Sequence, residues 1–218
     1  MKNTMSGNVM NNSCMINGVV ADHLLIHDRA IHYGDGLFET ILCSNSKLYY
    51  WQQHYQRLCT SSEKLKIACP DEQVLLKDIS ELVSNNAVTG NYVIKIIVSR
   101  GSGARGYRFT SGVTTNRIVF LSQLDAGYSS ILSETLHEGE LYICDQQVSI
   151  NESLAGLKHL NRLENVLARS EWRDGTAKII DGVMLNADKE VIEGTMSNLF
   201  AIRDKQLFTP GLERSGVR

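Results

Sequence analysis

The sequence predicts a two-domain protein of mixed α+β or α/β architecture, and three observations support this prediction. At 218 residues the chain is longer than a typical single domain and short for two large ones. Strand-like alternation and helix-like spacing of apolar residues occur in both halves. A small, polar stretch at residues 125–130 interrupts these patterns and is interpreted as a linker. We therefore predict an N-terminal α+β domain over residues 15–124 and a C-terminal domain over residues 131–218.

Strand and helix patterns alternate along the first predicted domain. Residues 1–14 lack periodicity, which predicts a disordered leader or a true start at Met15. Turn-type sequences at Asn17-Gly18 and at residues 44–46 lie between apolar strand patterns, so each is predicted to close a hairpin. Apolar residues spaced three to four positions apart predict two successive helices. The predicted strands are 15–20, 37–42, 47–51, 92–99 and 117–122, and the predicted helices are 52–68 and 71–83.

The second predicted domain contains strands, one helix and two polar loops. A strand is expected over residues 140–149, and a helix over residues 161–173 with an inward apolar stripe. A hairpin through residues 186–189 leads to a small polar loop, and a last strand follows at residues 199–203. The residues expected on the inward face of the helix are Leu160, Leu163, Val166 and Leu167.

Composition restricts the classes of partner. A net charge of −2 gives no basic field for nucleic acid and no polybasic patch for a membrane surface. Apolar runs are shorter than the ~18 residues of a membrane span, and the first residues lack the apolar core of a signal peptide. We expect a cytoplasmic protein whose partner is a small molecule or another copy of the chain.

The five cysteines, at positions 14, 43, 59, 69 and 144, are odd in number and contain no C-x-x-C pair. This spacing indicates neither a disulfide framework nor a zinc site, so reduced and mostly buried thiols are predicted. The histidines show no metal-ligand spacing, and no Ser/His/Asp set is evident from their order in the chain. No metal site is predicted.

Lys158 and Glu193 suggest a chemistry when they are considered together. Lys158 lies among leucines, where burial lowers the pKa of an amine and favours the neutral form that attacks carbonyl groups. Glu193 ends a short β-branched run just before a polar loop. A lysine for an aldehyde and an acid for a pyridinium nitrogen are what pyridoxal phosphate (PLP) chemistry requires of a protein. Taken alone, such a lysine more often lies at the surface with its charge in water.

The glycine-rich segment at residues 100–107 matches the pattern G-x-G-x-x-G. The residues after it are β-branched and interrupted by glycine, so they do not supply the helix that a dinucleotide-binding turn must open. One interpretation is a flexible loop that presents Arg105 and Tyr107 to an anionic ligand, because a guanidinium group matches a carboxylate with two hydrogen bonds. A plain surface hairpin loop is the other interpretation. Arg57, taken alone, reads as part of a solvated helix face.

Five separated segments, in the same order, resemble the active-site segments of fold-type IV PLP enzymes, the class IV aminotransferase group. One is Gly-Leu-Lys-His-Leu-Asn-Arg-Leu-Glu at residues 156–164. The resemblance extends from about Met15 to the last residue and implies that residues 131–218 form the PLP-binding domain. The other four segments are 28–40, 54–58, 100–107 and 193–198.

The resemblance implies roles for individual residues. Lys158 is the expected Schiff-base and catalytic residue, Arg57 the ligand of the PLP phosphate, and Glu193 the partner of the pyridine nitrogen. A homodimer is also implied. The resemblance also implies that two residues contact the cofactor, Ser197 and Asn198. It implies that three contact the substrate, namely Tyr33, Arg105 and Tyr107.

Two segments favour one activity within the group. Branched-chain aminotransferases usually follow the lysine with a Gly-Gly-Asn-Tyr run, whereas here His-Leu-Asn-Arg-Leu follows. The Arg-Gly-x-Gly-x-Arg-Gly-Tyr loop resembles the lyases that convert 4-amino-4-deoxychorismate to 4-aminobenzoate and pyruvate for folate synthesis. The alternative activity is that of a D-amino-acid or branched-chain aminotransferase. Similar proteins continue for some tens of residues, so a truncated, non-catalytic homologue is a further alternative.

Overall fold

The computed structural model describes residues 13–86, 90–110, 112–124, 138–173 and 178–217. The chain divides into two compact units, Met1–Glu134 and Thr135–Arg218. The predicted linker at 125–130 lies outside the described residues, as does the predicted leader except for Ser13 and Cys14, which begin the first strand.

The first unit contains a six-stranded antiparallel sheet. Its strands are β1 (Ser13–Ile16), β2 (Val19–Val20), β3 (Gly36–Ser44), β4 (Lys47–Leu48), β5 (Asn91–Ser99) and β6 (Asn116–Gln123). Their order across the sheet is β2-β1-β6-β5-β3-β4. The long central strands β3 and β5 pair along their whole length, and β5 also pairs with β6. The five strand predictions for this region are confirmed, apart from their bounds.

Both predicted hairpin turns are confirmed. Asn17 and Gly18 have φ of 55° and 84°, and β1 pairs with β2 across them. Positive φ at both central positions is what a two-residue turn between twisted strands requires. Asn45 and Ser46 make the equivalent turn between β3 and β4. The predicted strand 47–51 is too long, because the chain enters a helix at Trp51.

The described residues of this unit form the helices α1 (Arg29–Tyr33), α2 (Trp51–Leu65) and α3 (Glu72–Asn85). The Asp71 side chain accepts hydrogen bonds from the first free N–H groups of α3, which fixes where that helix begins. α2 ends earlier than predicted, at a left-handed residue, Lys66. α1 was not predicted, since one and a half turns give too short an apolar pattern. In the described part of the chain, no helix is long and apolar enough to cross a membrane.

The core of the first unit lies between one face of the sheet and helices α2 and α3. Alternate residues of each strand point to this face, so burial follows a period of two. Glu39 occupies the same buried face of β3, between Leu37 and Ile41. The core includes Leu37, Ile41, Ile94, Ile96, Val98 and Val119 from strands and Leu58, Leu75 and Leu82 from helices.

The cysteine prediction is wrong for two residues. Cys59 on α2 and Cys69 form a disulfide, with their Cα atoms 5.3 Å apart. The chain reverses at Lys66, just after α2, and this brings Cys69 back beside the helix. Cys14, Cys43 and Cys144 are free thiols.

The second unit has strands β7 (Glu140–Ile143), β8 (Ile179–Leu185), β9 (Val191–Gly194), β10 (Ala201–Arg203) and β11 (Gln206–Phe208), and helix α4 (Leu163–Arg169). β7 runs parallel to β8, and β9 runs antiparallel to β8. The predicted hairpin through residues 186–189 joins β8 to β9 and is confirmed. β10 and β11 form a separate two-stranded sheet. The predicted strand at 140–149 is wrong beyond Ile143.

The predicted apolar stripe of the helix in this unit is wrong. Leu163, Val166 and Leu167 are 76%, 61% and 54% exposed. α4 has only seven residues, and it packs through the small side chain of Ala168, which is fully buried. A small residue permits close approach, so the larger side chains point away. The cluster around Ala168 consists of Cys144, Val148, Trp172 and Met184.

Replacing Cys59 and Cys69 together by alanine should lower the free energy of unfolding by about 2–3 kcal/mol, because the unfolded chain loses a cross-link. Urea unfolding of the variant and the oxidised wild type measures the difference. Cys14→Ala, which removes a free thiol, serves as the control. The pairing is contradicted if iodoacetamide labels Cys59 and Cys69 in the denatured, unreduced protein.

Candidate active site

The backbone around Lys158 is held on both sides. Arg162 donates through Nε to the carbonyl oxygen of His159 and through Nη2 to that of Leu157, both at 2.9 Å. Before the lysine, Gly156 donates its N–H to the carbonyl oxygen of Gly216 at 2.9 Å. Leu157 is buried, whereas Lys158 is half-buried. Lys158 therefore lies in a segment whose backbone is fixed, and its side chain is half-buried.

Glu193 lies in β9 opposite Met184 of β8 and is 5% exposed. Its Oε2 atom accepts the N–H of Val217 at 2.8 Å. Within the described ranges, the side chain has no other hydrogen bond, so Oε1 is available to a further donor. The guanidinium of Arg162 is close enough to interact electrostatically with this carboxylate. Burial lowers the pKa of Arg162, and the charge of Glu193 opposes that shift.

The lysine segment and the acid segment meet in the second unit. Gly156 bridges to Val217, and Val217 donates to Glu193, so one short stretch of backbone contacts both segments. Asn165 of α4 adds a second link, because its Nδ2 donates to the carbonyl oxygen of Thr195 at 3.0 Å. The structure thus brings together the two segments that the sequence singled out, although 35 positions separate Lys158 from Glu193.

The loop after Glu193 is shaped by Asp181, which the sequence analysis missed. Asp181 is 6% exposed and accepts the hydroxyl groups of Thr195 and Ser197, each at 2.5 Å. A Cβ atom at Gly194 would lie 2.3 Å from Ser197 Oγ, so the close turn needs glycine. The hydroxyl of Ser197 therefore holds the loop against Asp181. The next residue, Asn198, is exposed. The sequence signal for Asp181 was its position as a carboxylate inside the apolar run of β8.

Arg57, in the first unit, is paired with a buried carboxylate. Its Nε and Nη2 atoms donate to the two oxygens of Glu39 at 2.7 and 2.5 Å, and His54 Nδ1 lies 2.7 Å from Oε2. The Glu39 side chain is 2% exposed and that of Arg57 is 26% exposed. Burial raises the pKa of Glu39, but hydrogen bonds from Arg57 and His54 outweigh burial and hold it below the usual range. The guanidinium is thus fixed in direction and partly open to solvent.

The glycine-rich loop begins at a second ion pair, in which the arginine is buried and the carboxylate half-buried. Arg100 follows β5, and its guanidinium donates to both oxygens of Asp35 at 2.8 and 2.9 Å. It also donates to the carbonyl oxygens of Leu65 and Lys66 at the end of α2. Burial raises the pKa of Asp35, and hydrogen bonds from Arg100 and Arg29 overcome burial and lower it. The start of the loop is therefore tied to the end of α2 and to Asp35, which lies between α1 and β3.

The predicted substrate residues lie on or beside this loop. Gly106 donates its N–H to the Tyr33 hydroxyl at 3.0 Å, and the rings of Tyr33 and Tyr107 are 5.5 Å apart. Arg105 is exposed, and Tyr107 is 86% exposed. Of the predicted site residues, the first unit thus contains Tyr33, Arg57, Arg105 and Tyr107, and the second contains Lys158, Glu193, Ser197 and Asn198. The described residues include no group of three or more side chains suited to a metal ion.

His159, next to Lys158, is buried at its Nδ1 atom, which has no hydrogen-bond partner among the described residues. Burial, followed by the charge of Arg162, lowers the pKa of His159 to about 4, and Glu164 opposes this shift. The ring beside Lys158 is therefore neutral at pH 7.

The chain belongs to the class IV aminotransferase family, because residues 36–218 match the model described as amino-transferase class IV. It is 39% identical over 202 residues to the aminodeoxychorismate lyase of Vibrio harveyi, an alignment that covers 93% of this chain and 72% of that protein. It is 29% identical over 188 residues to a D-alanine aminotransferase of Staphylococcus epidermidis, and this alignment covers 84% of this chain and 61% of that protein.

The fold also resembles a solved structure, the 4-amino-4-deoxychorismate lyase of Pseudomonas aeruginosa. The TM-score is 0.79 at 36% identity, and the match covers 94% of this chain and 72% of the other. The predicted fold-type IV architecture is thus confirmed.

Glu39→Gln should lower the free energy of unfolding by about 2 kcal/mol, because it removes the charge from hydrogen bonds that Arg57 and His54 make to a buried carboxylate. Urea unfolding at pH 7 measures the loss. Glu63→Gln, an exposed change of the same kind on α2, should have almost no effect. Equal stability of the two variants would show that the buried pair does not stabilise this unit.

The stability of the protein should fall between pH 6.5 and about 4 because of His159. In this window the unfolded chain binds a proton at residue 159 that the folded chain excludes, so unfolding becomes easier as the pH falls. Asp35 and Glu39, whose pKa values are lowered, lose their contributions only at lower pH. Urea unfolding at pH 7 and pH 5 should give a smaller difference for His159→Gln than for the wild type. An unchanged difference would contradict a neutral buried ring.

Proposed function

We propose that this chain is a PLP-dependent lyase that converts 4-amino-4-deoxychorismate to 4-aminobenzoate and pyruvate. The observation that carries the cofactor part is the contact of the Lys158 and Glu193 segments with the same stretch of backbone. The reaction is supported by identities of 39% and 36% to two proteins named as this lyase. A cytoplasmic homodimer belongs to the same proposal, through the resemblance to the family.

The residues present fit PLP. The cofactor needs an amine for its aldehyde, an acid beside its ring nitrogen and a cation for its phosphate. Lys158 is the amine, on a backbone fixed by Arg162. Glu193 is buried and retains an oxygen without a hydrogen bond to the described residues. By the resemblance to the family, Arg57 of the first unit would supply the cation for the phosphate, and its guanidinium is oriented by Glu39.

PLP, when bound, supplies an electron-accepting ring to the substrate carbon that bears the amine. The protein groups then have separate tasks. Glu193 would accept a hydrogen bond from the ring N–H and so keep that nitrogen protonated. The amine of Lys158 would take the proton from C4 of the substrate as a general base. The neutral His159 adds no second positive charge beside this amine.

The exposed groups of the glycine-rich loop suit the substrate's carboxylates. Arg105 offers a forked pair of N–H donors, and Tyr107 offers a hydroxyl group in the same loop. Tyr33 supports Tyr107 by ring contact. Loss of the enolpyruvyl group as pyruvate leaves an aromatic ring, so the reaction consumes neither water nor a keto acid. Aromatisation drives the elimination.

A transaminase is the second candidate, and the 29% identity to a D-alanine aminotransferase favours it. Such an enzyme uses the same lysine and acid but needs a keto acid to accept the amino group. A non-catalytic homologue is the third candidate. The requirement for a keto acid separates the first two, and a protein without either activity would support the third.

Lys158→Ala should lower the rate of pyruvate release from 4-amino-4-deoxychorismate by at least about 10³-fold, because it removes both the attachment point and the base. The assay contains PLP and no keto acid, and it follows pyruvate and 4-aminobenzoate together. Lys77→Ala, at an exposed position of α3, should be as active as the wild type. Pyruvate release by the Lys158 variant at the wild-type rate would refute the assignment.

A further inference from the structure

Arg29 donates two hydrogen bonds to the glycine-rich loop. It is the first residue of α1 and is 4% exposed. Its Nη1 donates to the carbonyl oxygen of Gly106 at 2.9 Å, and its Nη2 donates to that of Tyr107 at 3.1 Å. Its Nε donates to Asp35 at 2.8 Å. One buried guanidinium therefore fixes two successive carbonyl groups of an otherwise irregular segment.

Two further contacts restrain the same segment. The Gly106 N–H donates to the hydroxyl of Tyr33, whose ring lies 4.7 Å below the Arg29 guanidinium carbon. A Cβ atom at Gly103 would lie 3.0 Å from Cδ of Arg29, so glycine permits this close approach of loop and arginine. Gly106 is thus held by hydrogen bonds at both its N–H and its carbonyl oxygen.

The side chains of this loop are open, in contrast to its backbone. The side chains of Arg105 and Tyr107 are exposed, and neither side chain makes a hydrogen bond or ion pair with a residue that the structure describes. A rigid backbone with unused donors is suited to a ligand, because little conformational entropy is lost when the ligand binds.

We propose that Arg29 is a positioning residue for the carboxylate loop, defined as residues 103–107. It holds the Gly106 and Tyr107 carbonyls so that Arg105 and Tyr107 present their donors to a substrate carboxylate. This rests on the proposed function for the identity of the ligand. Only arginine provides forked donors for two carbonyls and a third donor for Asp35, whereas lysine is a point charge.

Arg29→Lys is the test variant. Asp35 keeps both hydrogen bonds from Arg100, so its half-buried carboxylate stays paired and the variant is expected to fold. The matched control is Arg108→Gln, an exposed arginine just beyond the loop that makes none of these contacts. Tyr33→Phe, which removes only the acceptor of the Gly106 N–H, is the second variant if Arg29→Lys does not fold.

The first measurement is the rate of trypsin cleavage after Arg105 in the folded protein, followed by mass spectrometry. Arg29→Lys should raise this rate roughly tenfold, since the two hydrogen bonds from Arg29 to the loop carbonyls are weakened. Tyr33→Phe should raise it by roughly threefold, because one restraint is lost. Arg108→Gln should leave it unchanged.

The second measurement is the lyase reaction at saturating PLP. In Arg29→Lys, the KM for 4-amino-4-deoxychorismate should rise roughly tenfold while kcat stays within about twofold, because the loop binds substrate and does not move the proton. A merely structural role would lower kcat through loss of active molecules and leave KM unchanged. Faster cleavage with an unchanged KM, or an unchanged cleavage rate, would overturn the proposal. If the wild type releases no pyruvate, the proposed function has failed, and the cleavage ratio alone decides whether Arg29 holds the loop.

Discussion

The hydrogen-bonded pairing of Asp35 with two buried arginines is the interaction on which the glycine-rich loop of the first unit depends. Arg100 connects this carboxylate to the end of α2, and Arg29 connects it to the glycine-rich loop. Two buried guanidinium groups without a shared anion would be strongly unfavourable, so the Asp35 carboxylate stabilises the burial of both arginines. Their burial fixes a loop that has no regular secondary structure, and it leaves Arg105 and Tyr107 exposed.

In the second unit, too, carboxylates that accept hydrogen bonds hold a loop in place. Asp181 is buried and collects two hydroxyl hydrogen bonds, which close the loop after Glu193. Glu193 is buried and collects a backbone N–H. In both units carboxylates therefore determine loop geometry. The groups that resemble the family's functional residues are either oriented by these acids, as Arg57 is by Glu39, or left open at the surface.

Local patterns predicted much of this fold. The turns at Asn17-Gly18 and Asn45-Ser46 and the strands β5 and β6 depend on neighbouring residues alone, so the sequence contains the information. The lysine and acid segments were predicted from chemistry, and they do meet. The roles of Asp35, Glu39 and Asp181 were not predictable, because their partners lie in other elements, up to 65 positions away for Arg100. Exposure of Leu163 likewise depends on how closely Ala168 approaches the sheet, which periodicity alone cannot specify.

The central claim is that this chain holds PLP on Lys158, and covalent trapping tests it most directly. The purified chain would be incubated with PLP, desalted, reduced with borohydride, digested and mapped by mass spectrometry. We expect one major phosphopyridoxyl modification, at Lys158, together with loss of the visible absorbance band on reduction. Modification spread over several exposed lysines, with Lys158 unmodified in folded protein, would show that Lys158 does not hold PLP.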